Sequence, residues 1–299
     1  MILLVTGALK LTDGRRAELS ALGNEVVYMP DERGELPIPA DRVEGVICNG
    51  LFLYHPIEKF TSLKYVQLTS AGLDRVPADY LCEHGIALRN ARGVYDVPMA
   101  EYAVWAVLSL FKGASAFARS RAERKWEKNR NIRELADSTV LIVGCGSVGG
   151  ACAARFGALG ARVIGVDARV REDGLYEAMY PTQRLCEAVS AADVIILTLP
   201  YTEDTRHIID AEALSSAKRG AVLVNIARGG VVDTEALISA LGSGVISGAA
   251  LDVFEREPLS EDSPLWDMEN VIITPHNSFV GEGNEKRIFE CIIGNLEEL

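Results

Sequence analysis

TVLIVGCGSVGGACAARFGALGARVIGVDAR, residues Thr139 to Arg169, decides the fold. An apolar run leads into Gly144, Gly146 and Gly149 at GxGxxG spacing, a small-residue stretch compatible with a helix follows, and a second apolar run closes on Asp167. Strand, glycine turn, helix and second strand form one βαβ unit of the kind that binds dinucleotides. Each glycine has a mechanical task. Gly144 permits the tight turn, Gly146 lets a pyrophosphate approach the backbone, and Gly149 lets helix and strand pack closely. Ser147 and Val148 complete the loop at the helix N-terminus, where free amides meet phosphate. Asp167 stands at the end of the next strand, where it accepts from a ribose 2′-OH and repels a 2′-phosphate, which favours NAD over NADP. Arg169 and Arg171, just beyond it, are expected in solvent.

The rest of the chain repeats this grammar. ILLVT, EVVYM, VEGVIC, LKYVQL and GIALR alternate with helix-compatible stretches in the first ninety residues, and TVLIVG, ARVIGVD, DVIILTLP, AVLVNI, VISGAALDVF and NVIITP do so after Thr139. Such alternation predicts parallel sheets with crossover helices, and two sheets are more economical than one of eleven strands. The expected architecture is α/β: a Rossmann doubly wound domain over residues 94–278 and a smaller flavodoxin-like domain over 1–93 and 279–299, with a cleft between them. The closing GEGNEKRIFECIIGNLEEL is amphipathic and returns to the first domain in this reading. DVPMAEYAVWAVLSLFK joins the two series, and from Met99 to Phe111 its only charge is Glu101. A helix so apolar needs cover on several sides, from a domain interface, a subunit interface or an ordinary core.

Composition narrows the partners. Of 299 residues, 42 are acidic and 30 basic, a net charge of -12 that disfavours nucleic acid and anionic membrane. Cys48, Cys82, Cys145, Cys152, Cys186 and Cys291 are scattered without CxxC or zinc-site spacing. Free thiols, a cytoplasmic location and no metal are the expectation. MILLVTGAL lacks a basic leader region and reads as the first buried strand.

Three residues carry the chemistry. Arg228 follows AVLVNI, Glu257 follows VISGAALDVF and His276 follows NVIITP, so a cation, a carboxylate and an imidazole emerge from successive strand ends. Ligands of open α/β sheets sit beyond the carboxyl ends of the strands. A guanidinium offers a rigid fork matched to a carboxylate, and histidine moves a proton near neutrality. A carboxylate beside the histidine favours its charged form. His207, His55 and His84 read as structural.

The glycine loop, LTLPYTEDTRHII, VNIARGGVVD, ALDVFEREPL and TPHNSF occur in the order seen in the D-isomer-specific 2-hydroxyacid dehydrogenases, which the chain resembles from end to end. The resemblance implies that Arg228 holds the substrate carboxylate and carbonyl oxygen, that His276 is the acid/base and that Glu257 pairs with it. It further implies that Asp252 lies near the nicotinamide carboxamide and that Pro200 and Thr205 wall the adenine side, with Leu199 and Ala227 among the cofactor-binding positions. Ser70, Ala71 and Gly72 resemble the loop whose amides grip the substrate carboxylate, with Asn49 and Gly50 as further substrate contacts. The implied reaction interconverts a 2-oxo acid and a D-2-hydroxy acid, in a homodimer. Phosphoglycerate-using relatives tend to carry an arginine where this chain has Asn49, and Leu51 to Tyr54 suggest an apolar lid. A non-phosphorylated substrate is therefore favoured over phosphohydroxypyruvate, the alternative being phosphoglycerate dehydrogenase-type activity. A reading from another class is a cofactor-sensing protein similar to the transcriptional corepressors that resemble this family.

Overall fold

The computed structural model describes residues 1–299 and divides into two compact units, Met1–Tyr95 with Gly281–Leu299, and Asp96–Val280. Unit 1 begins with β1 (Ile2–Thr6), α1 (Asp13–Ala21), β2 (Glu25–Met29), β3 (Gly45–Cys48), β4 (Tyr65–Leu68), α2 (Ala78–Glu83) and β5 (Ala87–Arg89). Its five strands are parallel in the order β2-β1-β3-β4-β5, a flavodoxin-like arrangement. Every residue of β3 and β4 is buried, as expected of parallel strands covered on both faces. Side chains alternate between those faces. Leu3 and Val5 enter one cluster of the core and Leu4 the other.

Unit 2 opens with α3 (Asp96–Lys112) and α4 (Ala114–Ala122). There follow β6 (Thr139–Val143), α5 (Ser147–Ala158), β7 (Arg162–Asp167), β8 (Ala178–Pro181), α6 (Leu185–Ala191), β9 (Val194–Leu197) and α7 (Ala211–Ser215). It closes with β10 (Ala221–Asn225), α8 (Thr234–Ser243), β11 (Ile246–Leu251) and β12 (Val271–Ile273). The seven strands are parallel in the order β12-β11-β10-β9-β6-β7-β8. The order reverses at β6, the crevice at which doubly wound sheets take ligands. All five strands expected in the first series and all six in the second are present; β8 is additional. After unit 2 the chain returns to unit 1 as α9 (Asn284–Glu297), which buries Ile288, Phe289, Ile292 and Leu296 against the cluster holding Leu3 and Val5.

The apolar helix α3 packs Ala100, Ala103, Ala106, Val107 and Phe111 into the cluster of Val140, Ile142, Cys152 and Phe156. Small alanines let α3 and α5 approach closely. Cover is incomplete on the other side, where Trp105 is about half exposed. No helix of the chain is long and apolar enough to cross a membrane.

Candidate active site

The glycine turn between β6 and α5 shows why those positions lack side chains. Gly144 has φ +94°, a left-handed conformation, and a Cβ there would lie 2.5 Å from the Leu199 nitrogen. A Cβ on Gly149 would stand 2.2 Å from the Gly144 oxygen, so α5 is seated directly on the turn. Gly146 is exposed and has open space where its Cβ would stand. Ser147 and Val148, half-buried, begin α5, whose N-cap carries no side-chain hydrogen bond. The N-terminal amides of this helix thus remain available for an anion.

Asp167 ends β7 and ties the turn together, accepting from the Cys145 amide at 2.8 Å and the Arg169 amide at 2.9 Å. Arg171 donates to the Cys145 carbonyl and pairs with Asp173 at 3.4 Å. Arg171 is exposed, as the sequence leads one to expect, and these contacts hold it beside the turn. Cys145 itself is buried, and burial pushes its thiol up to about 11. Across the turn Leu199 is buried and Pro200 exposed, and the Thr205 hydroxyl bonds the Pro200 carbonyl at 2.7 Å. Thr205 thereby braces its own loop.

The polar trio leaves three adjacent strands at one level. Asn225, Leu251 and Ile273, the last residues of β10, β11 and β12, are paired in register. Arg228 and His276 each follow three residues later, and Glu257 six residues later. The Asn225 side chain shapes the first turn by accepting from the Ala227 amide and donating to the Arg228 carbonyl, both at 3.1 Å. Ala227 is buried, and the Arg228 guanidinium donates to its carbonyl at 2.8 Å.

His276 Nδ1 lies 2.9 Å from Glu257 Oε2, and Glu257 Oε1 accepts the Phe254 amide at 3.1 Å. Both residues of the pair are partly exposed. With Nδ1 engaged by Glu257, Nε2 is the other ring nitrogen. His276 has φ +51°, which is uncommon for a residue with a side chain, and its amide donates to Asp252 O at 2.8 Å.

Asp252 is completely buried. Its carboxylate accepts from the Thr274 hydroxyl at 2.6 Å, the Asn277 amide at 2.7 Å and the Ser278 amide at 2.9 Å. Tyr102 extends the network to Thr274 at 2.7 Å, and burial pushes its hydroxyl up to about 12. In this structure Asp252 organises the loop that carries His276. Thr274 and Tyr102 were missed by sequence reading because neither has motif spacing to Asp252.

In unit 1, the Asn49 and Gly50 amides donate to Glu32 Oε1 and Oε2 at 2.7 and 2.8 Å, and the Thr6 hydroxyl to Oε1 at 2.7 Å. Glu32 was not foreseen. Ser70 Oγ bonds the Gly72 carbonyl at 3.0 Å, and Asn90 donates to the Ala71 carbonyl at 2.7 Å, fixing that loop. Of the expected apolar lid, Leu51 belongs to the core and Phe52 packs edge-on against Phe60, while Leu53 and Tyr54 are exposed. His84 stacks on Tyr80, and His55 bonds the Glu32 carbonyl at 3.0 Å. His207 is bonded to Glu255.

Comparison with known proteins agrees with this fold. The sequence profile of the D-isomer specific 2-hydroxyacid dehydrogenase NAD binding domain matches residues 104–278. The chain is 34% identical over 242 residues to (S)-sulfolactate dehydrogenase of Chromohalobacter salexigens, covering 80% of this chain and 78% of that protein. Among solved structures it is similar to a D-isomer specific 2-hydroxyacid dehydrogenase from Xanthobacter autotrophicus Py2 in complex with NADPH and MES. That match has TM-score 0.82 and 27% identity over 99% of this chain and 95% of the other. D-lactate dehydrogenase from Aquifex aeolicus, complexed with NAD and lactic acid, matches with TM-score 0.79 and 27% identity over 99% and 94%.

Proposed function

The chain belongs to the D-isomer-specific 2-hydroxyacid dehydrogenase family, and we propose that it interconverts a 2-oxo acid and a D-2-hydroxy acid with His276 as acid/base. The observation that carries this reading is the His276–Glu257 pair leaving the same sheet edge as Arg228, in the unit that holds the glycine turn. The residues present suit a dinucleotide: open space at Gly146, uncapped helix amides and Asp167 at the end of β7. When bound, the nicotinamide supplies or accepts the hydride.

The protein contributes orientation and a proton. Arg228 holds the substrate carboxylate through its guanidinium fork and orients the carbonyl. His276 delivers a proton from Nε2 to the carbonyl oxygen in reduction and takes it back in oxidation. Glu257 fixes the ring through Nδ1 and compensates its charge. No step requires a metal in this scheme.

Several finer assignments are also proposed. NAD is favoured over NADP because Asp167 ends β7, where the ribose-binding acid of a dinucleotide fold is expected, and Arg171 is already paired with the glycine turn and Asp173. In unit 1, Asn49, Gly50, Ser70, Ala71 and Gly72 are proposed substrate contacts. A tail without a second anionic group is favoured, since Glu32 already occupies the Asn49 and Gly50 amides. Half-exposed Trp105 on α3 is the proposed face of a homodimer, and six free cysteines support a cytoplasmic location.

The test is loss of NADH absorbance over a panel of 2-oxo acids, run in parallel with NADPH. Arg228→Ala and His276→Ala should keep cofactor binding and lose about 100-fold or more in kcat/KM. Near wild-type rates in either variant, or a wild-type protein that binds NADH and reduces nothing, would defeat the assignment. Sedimentation showing a compact monomer would remove the dimer.

A further inference from the structure

Two imidazole-carboxylate pairs meet on one short strap, Phe254 to Glu257. His276 grips Glu257, and two residues earlier His207 Nε2 is bonded to Glu255 Oε1. The His207 segment lies beyond β9 and is zipped onto the turn that starts at Arg228. His207 N donates to Gly230 O at 2.8 Å, Ile209 N to Val231 O at 3.1 Å, and Asp233 N to Ile209 O at 3.0 Å. Gly229 brings that turn hard against the strap, because a Cβ there would fall 1.8 Å from the carbonyl carbon of Phe254. His207 thus touches both neighbours of the working residues, the Arg228 turn through its backbone and the Glu257 strap through its ring.

The backbone supports the same conclusion. His207 has φ +48° and His276 φ +51°, and such left-handed residues persist only where the surroundings over-determine them. Both strained histidines aim their rings at glutamates of the one strap. His207 and Glu255 are each about one-third exposed, 34% and 37%, so solvent screening limits the pair's value to stability. Its value lies in geometry, since a displacement of about 1 Å at reacting groups can cost about 100-fold in rate.

We propose that His207 is a positioning residue. Its bond to Glu255, together with its backbone bond to Gly230, locks the Arg228 turn to the strap bearing Glu257 and keeps the carboxylate binder and the proton donor in fixed register. Neither His207 nor Glu255 touches a reacting atom in this role. The inference rests on the reading of Arg228, Glu257 and His276 as the working trio.

The experiment compares wild type with His207→Asn, Glu255→Ala, the double variant and Glu255→Gln. Asparagine tolerates the left-handed backbone but is too short to keep the ring contact, so the fold is retained. On a 2-oxo acid that wild type reduces, each of the first two variants should lose about tenfold in kcat, with the KM for NADH unchanged. The double variant should fall no lower than the weaker single one, as expected for two residues acting as one unit. Glu255→Gln, which keeps an acceptor, should recover to within about threefold of wild type. By NMR, the Phe254 amide should exchange with solvent faster in His207→Asn. Wild-type kcat in His207→Asn, multiplicative losses in the double variant, or unchanged Phe254 exchange would each overturn the proposal. If wild type reduces no acid, the trio reading fails and Phe254 exchange decides the clamp by itself.

Discussion

At the carboxyl edge of each sheet the two units treat their backbone donors in opposite ways. In unit 2 the β6–α5 turn is left open: Gly146 has free space around its missing Cβ, and α5 has no side-chain cap. In unit 1 the turn after β3 is closed by the chain itself, with Glu32 spanning the Asn49 and Gly50 amides and taking the Thr6 hydroxyl. Even Gly7 is sealed, since a Cβ there would meet the Pro30 oxygen at 2.0 Å. Both crevices lie where strand order reverses, so topology alone offers two ligand sites. Each turn gives amides to an internal carboxylate, but Asp167 takes only Cys145 in the β6–α5 turn and leaves the first amides of α5 uncapped, whereas Glu32 spans both Asn49 and Gly50.

The largest expected effect tests the packing that keeps the unit 2 turn open. Gly149→Ala places a methyl 2.2 Å from the Gly144 oxygen and 3.0 Å from Thr198 Oγ1. Neither backbone can retreat without lifting α5 off β6, so about 3 kcal/mol of stability should be lost, read as a Tm lower by about 10 °C. An unchanged Tm would mean that the turn is soft, and the contrast with unit 1 would lose its basis.

Closure of the other turn is tested next. Glu32→Ala strips two part-buried amides of their acceptor, costing about 2 kcal/mol in a urea melt, while Glu32→Gln should cost less because one acceptor oxygen remains. If the pocket is a latent anion site, inorganic phosphate or acetate should restore part of the stability of Glu32→Ala and leave wild type unmoved. Equal stabilisation of both proteins would show that Glu32 fills nothing.

These two turns also mark the boundary of what a sequence displays. Eleven apolar runs were legible; eight are the mostly buried parallel strands that read as continuous apolar stretches, while β2, β5 and β12 are only partly buried and kept enough apolar residues to be seen. β8 escaped because AMYP is short, ends in proline and lies at the sheet edge with every residue half-buried. Glycine spacing revealed the β6–α5 turn because its mechanics are local. Glu32, His207 with Glu255, and Tyr102 with Thr274 were not legible: their partners lie 17, 48 and 172 residues away, and only the fold brings them together.

A smaller effect separates ligand binding from folding at the open turn. A Cβ on Gly146 meets nothing within 4 Å, so Gly146→Ala should melt within about 0.5 kcal/mol of wild type. The same methyl would occupy the approach of a pyrophosphate, and NADH affinity by fluorescence titration should weaken about tenfold, or about 1.4 kcal/mol. Affinity unchanged at full stability would move the cofactor away from this turn.

The smallest effect is an expected silence, read from one buried thiol beside each turn. Cys145 lies inside the open turn and Cys48 ends β3 beside the closed one; burial raises both, Cys145 to about 11. A raised thiol value favours the neutral form, so at pH 8 little thiolate exists at either site, and reactivity should rise only as pH climbs toward those values. In a background where Cys82, Cys186 and Cys291 are serine and Cys152 is alanine, leaving only Cys48 and Cys145, a disulfide reagent should therefore react slowly, and only through local opening. Adding NADH should slow Cys145 further and leave Cys48 unchanged, because a ligand stabilises the closed form of the segment it binds. Equal protection of both thiols would show that the two turns open together, and the division into one ligand-ready edge and one self-filled edge would fail.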